Sequence, residues 1–584
     1  MAGNWHKVFR YIYKTVLFFL MIAFVFVVWN VVPAFFYKPE TNRNVLQSYY
    51  KKGVYHIHSI FSDGRGDVNK IAEAASQLKL DFLILTDHGR PNVGSSTSTT
   101  WNKGVLVVGG SEISTLSGHL ASAGFDVPDY RFPVEAQESI HDVVTRNGVC
   151  FLAHPDDKRI PWTDWNVKGF TGLEVLSAYS EGMRAGILNL MVFPFKYLVN
   201  PVYGVLDAME YPEGMLKKWD DFNKDGKANY YGIYALDTHG GLEISEDWHL
   251  NFPSYNEMFK VMTIYVKVSE NRFGGDARSA SREVVNSLKR GNFFNVIEGL
   301  CSANGFDVYY LEKNSREGNN RKIDMGGNSL SSTGAFVIQL PFSFETRIKI
   351  IKDGALYKEF EGNTQKQLEV GIGEKGVYRV EVFIEGSKFK KLPWIITNPF
   401  FIGHPTPLLN TMQYSDPIEK NSTQPPLAVG QKIPMEQFIM EKNERTQGDI
   451  SFTIDDNGGR IWSMRYELGK KESESSYWCS MVMRKDFRFQ NAKGIGMDVW
   501  AEKRGSYTLE LRTGKESKNW YSYSFFADKE WKKVYIPFSR FHIVYSKKAG
   551  LDPSKVESMY ITINEGTAYE GARGVLKVKN LVKH

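Results

Sequence analysis

At 584 residues, 42% of them hydrophobic, the chain can bury several separate cores, and its length suggests three or four domains. A net charge of +6 spread over that length, with no concentrated Lys/Arg block and no recognition motif, argues against a nucleic-acid partner. Three widely spaced cysteines, Cys150, Cys301 and Cys479, supply no disulfide framework and read as free, buried thiols.

Residues 15–37 carry no charged side chain and are dominated by Phe, Val, Leu and Ile. The stretch exceeds the ~20 residues that a helix needs to cross a bilayer. Its end, Val31-Val32-Pro33-Ala34-Phe35-Phe36, offers no small-x-small cleavage site, so it reads as an uncleaved signal anchor. Lys7, Arg10 and Lys14 precede it without an acid, while Lys38, Glu40 and Arg43 follow. That asymmetry puts residues 1–14 in the cytoplasm and the rest outside it, in a periplasm or at a cell surface.

Between residues 50 and 300, apolar runs repeatedly end in histidines and acids. Val54-Tyr55-His56-Ile57-His58 reads as a strand, and alternation would point both imidazoles to one side, about 7 Å apart, where they can share one metal ion. An isolated His-x-His is as readily a satisfied core pair, so recurrence decides. The run 81–86 delivers Asp87 and His88, 104–111 delivers Glu112, Gly118-His119 opens another run, 148–153 delivers His154, and 230–236 delivers Asp237 and His239. Continuous apolar runs suit parallel strands buried on both faces, whose C-terminal ends gather active sites in barrels. Six of the twelve histidines stand at these places, and no thiol joins them, which argues against a structural zinc knot. Asp67–Leu80 and Pro133–Asn147 have helical spacing, and His141 on the second, among polar neighbours, reads as a solvated histidine outside the site.

The ordered set His56-x-His58, Ser62-Asp63-Gly64, Thr86-Asp87-His88, Gly110-x-Glu112, Gly118-His119, His154-Pro155 and Asp237-x-His239 resembles the PHP (polymerase and histidinol phosphatase) metallohydrolases. The Gly-His-Leu element is most similar to their carbaryl-hydrolase-like branch. The resemblance implies a distorted (β/α)7 barrel over residues 50–300 with two or three divalent ions, zinc, manganese or iron. His56, His58, Glu112 and Asp237 would hold one ion. Glu112, as a bridge, with His119 and His154 would hold a second, and Asp63, His88 and His239 a third. Many relatives have histidine where this chain has Asp63, which bears on the third ion.

Residues 181–215 break this rhythm. The apolar Gly186–Val199 stretch, interrupted by Pro194, reads as an elaborated barrel helix, a lid, a dimer face or a segment resting on a bilayer. Asp221–Gly226 imitates the start of a calcium loop, but the twelfth position is Gly232 rather than Glu, so it reads as a tight turn; in the resemblance it follows Trp219-Asp220. Residues 305–402 show short alternating runs between Asp-Gly, Glu-Gly and Lys-Gly turns, an immunoglobulin-like β-sandwich. Residues 404–432, rich in Pro, Asn, Ser and Thr, form a linker. Residues 433–584 resemble a galactose-binding-like β jelly roll, with Trp531-x-x-Val534-x-Ile536-Pro537-Phe538 the most telling run. Trp462, Trp478, Trp500, Trp520 and Trp531 supply either a sugar-stacking platform, making carbohydrate a second partner, or a sandwich core.

The expected fold class is therefore α/β: a transmembrane helix, a PHP-like barrel and two all-β sandwich domains. The expected function is a single-pass, membrane-anchored hydrolase in which metal ions lower the pKa of a water from ~15.7 toward ~7. By position in the resemblance Glu112, His119 and His239 lie nearest the chemistry. Arg65, Arg90, Lys158 and Arg159 follow metal-ligand positions closely, and the planar arginine fork suits phosphate or carboxylate. They favour an anionic small-molecule, glycan or lipid substrate, a phosphoester in an envelope component. The carbaryl-hydrolase-like branch implies carboxyl or carbamate esters instead. A non-catalytic carbohydrate-binding surface protein is the third reading.

Overall fold

The computed structural model describes residues 2–584 apart from 45–48, 185–186, 225–227, 246–247, 251, 270–272, 274, 314–319, 405–429, 436, 471–475, 485–486, 488, 490, 514–519 and 544–549. The expected linker at 404–432 and the Asp225-Gly226 turn thus lie almost wholly outside the described residues. The described chain is mixed α/β with extensive β-sheet.

Ala2–Phe36 forms a single helix, starting well before the apolar stretch expected at 15–37. Within it Val8–Phe36 is long and apolar enough to cross a membrane. Where it meets the body, Tyr37 donates its hydroxyl to Gly299 O at 2.7 Å and packs its ring on Tyr203 and Phe389.

Two sheets follow. In one, Tyr50–Ile57, Phe82–Leu85 and Val105–Val108 run parallel, with Thr263–Lys267 and Phe293–Val296 added antiparallel beyond Tyr50–Ile57. In the other, Val149–Leu152, Gly172–Ser177 and Tyr231–Ala235 run parallel. Gly110–Thr115 and Gly118–Ala123 depart from the expected parallel pattern and form a hairpin. Two residues, Leu116-Ser117, cannot carry a crossover connection, so these strands must pair antiparallel. Helices Val68–Gln77 and Ala136–Thr145 lie inside the ranges expected for them. Asp67 caps the first by accepting from Lys70 N at 2.8 Å, while Ile71, Ala72 and Ala75 turn into the core.

The sheets are stitched together where strands change partners. Tyr50–Gly53 pairs with Ile264–Lys267; beyond that, Leu236 N donates to Tyr55 O, Thr238 N to His56 O and His58 N to Thr238 O, at 3.0–3.3 Å. On the other side Glu112 N donates to Thr86 O at 2.9 Å and Gly89 N to Glu112 O at 3.0 Å.

The 305–402 region is fused to this body. Strand Ile395–Thr397 pairs with Phe293–Val296, so one sheet runs from Val105–Val108 into Gly376–Ile384 and Thr346–Lys352. One hydrophobic core extends from Ala34 through Ile402, and a second, which includes Phe82, Phe151, Ile233 and Phe401, lies within the same span. Arg379 adds a polar lock: it meets Asp220 with Nε and Nη2 at 2.9 and 2.8 Å and also contacts Glu381.

Residues 431–583 form two antiparallel sheets around a separate core that includes Met464, Val499, Leu511 and Ile561. This sandwich sits on helix Ala136–Thr145: Tyr523 donates to Glu138 at 3.0 Å, Ser524 N to Glu135 at 3.0 Å, and Arg504 pairs with Asp142 at 3.5 Å. The docking corrects the solvated reading of His141, which is buried and whose pKa is lowered to about 4 by desolvation together with Arg504 and Lys532. Trp462 is buried in the core, while Trp500, Trp520 and Trp531 lie under Lys577, Arg512 and Lys579.

Arg379→Ala would leave Asp220 and Glu381 as carboxylates without their buried counter-ion, a loss of about 3–5 kcal/mol. We expect a lower thermal midpoint for the whole 50–402 unit in calorimetry, and an unchanged midpoint would show that the lock contributes nothing.

Candidate metal centre

The histidines and carboxylates singled out in the sequence converge on Glu112. Its Oε2 lies 3.4 Å from His56 Nε2, 3.2 Å from His58 Nε2 and 3.1 Å from His88 Nδ1, and its Oε1 lies 2.8 Å from both His119 Nδ1 and His154 Nε2. Asp237 Oδ1 faces the same imidazoles, 3.5 Å from His56 Nε2 and 3.3 Å from His58 Nε2. Asp63 forms the open edge, 3.2 Å from His58 Nδ1, 3.5 Å from His88 Nε2 and 3.3 Å from His239 Nε2.

Convergence comes from strained backbone rather than regular alternation. His56 interrupts its strand at a register shift with φ 67°, and His154 and Asp237 also have positive φ, 29° and 50°. Such conformations are costly for non-glycine residues and accumulate at functional sites. The expectation that plain strand geometry aims His56 and His58 together is corrected: a bulge re-aims the first, and the rings end 5.2 Å apart. Two glycines make room. A Cβ on Gly110 would meet Ser122 O at 2.2 Å and Leu85 O at 2.6 Å, and Gly118, at φ 126°, lies against Trp162.

Charges within the cluster shift one another. Burial alone would lower the imidazole pKa values, but Glu174 acting on His56, and Asp237 on His58, reverse the effect and hold both well above the ordinary range. His154 is likewise raised to about 9, burial being outweighed by Glu112. Burial would raise the carboxylates, yet His56 draws Glu112 and Asp237 well below their usual range, and His239 does the same to Asp63.

These residues fit divalent metal ions. His56 Nε2, His58 Nε2 and His88 Nδ1 are buried without a hydrogen-bond partner although carboxylate oxygens stand 3.1–3.5 Å away. Ligand atoms at roughly that spacing are what a tetrahedral shell with bonds of about 2 Å requires. Three groups have ligand atoms mutually within 4.8 Å: His56, His58, Glu112 and Asp237; His88, Glu112 and His119; and His58, Asp63, His88 and His239. The first is the expected set. In the second His88, which faces Glu112 Oε2, takes the place expected for His154, which still contacts Glu112 Oε1 as His119 does, and His58 joins the third.

Glu174 and Tyr255 escaped the sequence reading, and Asp87, which the sequence placed in the Thr86-Asp87-His88 motif without a role, joins them as a support. Glu174 accepts from His56 Nδ1 at 2.6 Å and from His154 N at 2.7 Å. Asp87 accepts from Ser59 N, Ser59 Oγ and Ser62 Oγ at 2.7–2.8 Å, shaping the loop that carries Asp63. Tyr255 donates to His58 O and His239 O at 2.8 and 3.0 Å and accepts from Gly66 N at 3.1 Å. Glu174 had a signal, a single acid inside the apolar run 172–177.

The four expected substrate-binding residues separate. Arg159 pairs with Asp157 at 3.1 Å and lies 5.3 Å over Tyr179, whose ring is 5.5 Å from that of His239. Arg65 donates its backbone N to His239 O at 2.7 Å. Arg90 is engaged elsewhere, donating to Phe132 O and Gly566 O at 2.7 and 2.9 Å, and so ties the His88 loop to the C-terminal sandwich. Lys158 lines a neighbouring cavity of about 320 Å³ with Asp156, Glu181 and Arg184. Cys150 is buried, its thiol pushed up to about 12 by desolvation.

The molecule is thus a mixed α/β protein with a buried histidine–carboxylate cluster of metal-binding composition. Residues 432–574 match the family model of Complex I intermediate-associated protein 30 (CIA30). No curated protein matches the chain. Among solved structures, a two-domain protein containing a predicted PHP-like metal-dependent phosphoesterase from Bacteroides vulgatus is 14% identical, covering 62% of this chain and 99% of its own, with a TM-score of 0.30. The family 11 carbohydrate-binding module of a Clostridium thermocellum cellulosomal cellulase is 17% identical over 27% of this chain and 95% of its own, with a TM-score of 0.22. A family 30 carbohydrate-binding module is 10% identical over 27% of this chain and 100% of its own, with a TM-score of 0.21. Likeness at that level decides neither fold nor chemistry.

Replacing Glu174 by Ala would free the His56 ring and leave His154 N–H unpaired, and losing such a supporting carboxylate weakens metal binding on the order of 10–100-fold. Glu112→Gln should cost more, since its two oxygens serve separate groups of imidazoles. Zinc and manganese titrations of both variants test this, and wild-type affinity in Glu174→Ala would remove that carboxylate from the centre.

Proposed function

We propose that the chain is a membrane-anchored, extracytoplasmic, metal-dependent phosphoesterase of PHP type, its barrel built from residues 50–300 and followed by β-domains over 305–402 and 433–584. The observation that carries the reading is Glu112, buried with an imidazole at each of five sides and with unpartnered ring nitrogens facing its carboxylate. His56, His58, Glu112 and Asp237 would hold one ion, Glu112 with His88, His119 and His154 a second, and Asp63 with His88 and His239 a third.

Bound there, divalent ions would supply a nucleophile from water at neutral pH and polarise the oxygen under attack. The chain's own residues do the rest. Glu174 keeps the His56 proton on Nδ1 and so leaves Nε2 directed at Glu112 and Asp237. His119 and His239 lie at the rim, facing Glu112 and Asp63, where a substrate would approach the ions. Tyr255 and Asp87 fix the loops on which those groups depend. Arg159, stacked on Tyr179 beside His239, supports an anionic substrate, and Arg65 enters from the loop bonded to His239. Bidentate arginine contacts suit phosphate oxygens.

A comparison of aryl phosphates, phosphodiesters and neutral aryl esters with the metal-loaded protein tests the chemistry. Phosphoesters should turn over faster, and Arg159→Ala should raise KM for them while sparing the neutral esters. Faster hydrolysis of neutral esters, indifferent to that substitution, would favour the carboxyl or carbamate ester reading. The anchor has its own test: the full chain should stay with membranes in high salt and leave only with detergent, and release by salt alone would show that Val8–Phe36 does not span.

A further inference from the structure

We infer that the corner where the first helix enters the globular body is a docking surface for an anionic lipid bilayer, with helix Ile187–Val199 lying in the lipid interface. The inference rests on the reading of Val8–Phe36 as a membrane span. Helix Ile187–Val199 packs against that span. Asn200, at its end, donates Nδ2 to Ala34 O and Tyr37 O at 3.2 and 3.1 Å. One stripe of the helix is apolar and uncovered: Met191, Phe195 and Leu198, spaced at helical repeats, are 66%, 50% and 79% exposed. The opposite side is committed to the body, with Val192 and Tyr197 buried and Lys196 paired to Asp207 at 2.5 Å. An apolar stripe left open beside a spanning helix has a ready occupant, the bilayer that the span crosses.

A second feature marks the same corner. The turn after Gly376–Ile384 exposes Lys388, Lys390 and Lys391, and between them Phe389 is buried, its ring 5.2 Å from Tyr37 and 5.3 Å from Tyr203. That places the lysines beside the outer end of the span, where Lys38 is also exposed. A cavity of about 330 Å³ lies between, lined by Pro33, Phe36, Lys38, Leu300 and Lys388. Apolar side chains next to a lysine rim match the layering of acyl chains under anionic headgroups, and juxtamembrane lysines are attracted to such a surface. Lys388 also meets the Tyr203 hydroxyl and lies 4.4 Å over its ring, whereas an interface with a second copy of the chain would use the stripe but give Lys390 and Lys391 no counter-charge.

The test uses the full chain in nanodiscs of phosphatidylglycerol and phosphatidylcholine. One environment-sensitive dye is placed at Leu198→Cys and, separately, at Phe18→Cys as the reference inside the span; the native cysteines are buried. The dye at 198 should shift to the blue and be quenched by a shallow nitroxide lipid, and the dye at 18 by a deep one. Reversing Lys388, Lys390 and Lys391 to Glu should remove the quenching at 198 in discs containing phosphatidylglycerol. A water-exposed dye at 198 with a quenched dye at 18 overturns the inference and leaves the anchor standing. An unquenched dye at 18 overturns the anchor and the inference together. A blue shift at 198 without lipid quenching assigns the stripe to a protein contact, and quenching unaffected by charge reversal overturns the headgroup role of the rim.

Discussion

A carboxylate cannot be buried without its charge being answered, and the organisation of this protein follows from how Glu112 is answered. Isolated, an ion so enclosed would cost several kcal/mol of lost hydration. Here imidazoles approach both oxygens, and Asp237 and Glu174 supply further negative charge behind the imidazoles. His56, His58 and His154 are drawn toward protonation and Glu112, Asp237 and Asp63 away from it, so the cluster favours positive charge. A divalent cation would provide that charge at one point and would displace protons from the ring nitrogens, which would couple metal occupancy to pH and to folding.

Such a cluster cannot be mounted on regular strands alone. The Tyr50–Ile57 strand leaves Thr263–Lys267 to follow the chain after Tyr231–Ala235, and the exchange falls at His56, where φ turns positive. The same device serves the Phe82–Leu85 strand, whose continuation through Thr86 and His88 bonds to Glu112. Strain at His56, His154 and Asp237 is held by the packing beneath: Tyr55, Ile57, Ile84 and Ile233 are buried in the sheets that carry these residues.

The appended β-structure is part of the same mechanical system. Ile395–Thr397 continues the sheet that carries His56, and Trp394 donates its indole N–H to Cys301 O at 2.6 Å, closing the joint. The C-terminal sandwich reaches the site differently, through Arg90, which stands in the His88 loop and bonds Gly566 O. A residue that looked from its chain position like a phosphate ligand therefore joins two domains. Burial of His141 has the same origin, because helix Ala136–Thr145 presents its polar side to the sandwich rather than to water.

Much of this was legible in the chain itself. The histidine and acid positions, the long apolar helix and the strand runs 81–86, 148–153 and 230–236 are local signals, since each depends on residue type and spacing within a few turns or strand steps. Glu112 stood out as one of several polar residues that end apolar runs, and only the PHP resemblance implied that it is shared. What only the tertiary structure decided depends on neighbours distant in sequence: the bulge that aims His56, the Glu174 bond behind it, the placing of His88 beside His119, the engagement of Arg90 and the burial of His141. A strand's alternation is set by its own backbone, whereas a partner exchange is set by whichever strands compete for its edge. A side chain's charge is likewise written in the sequence, but whether it meets substrate, solvent or another domain is decided by what the fold brings within hydrogen-bonding reach of it.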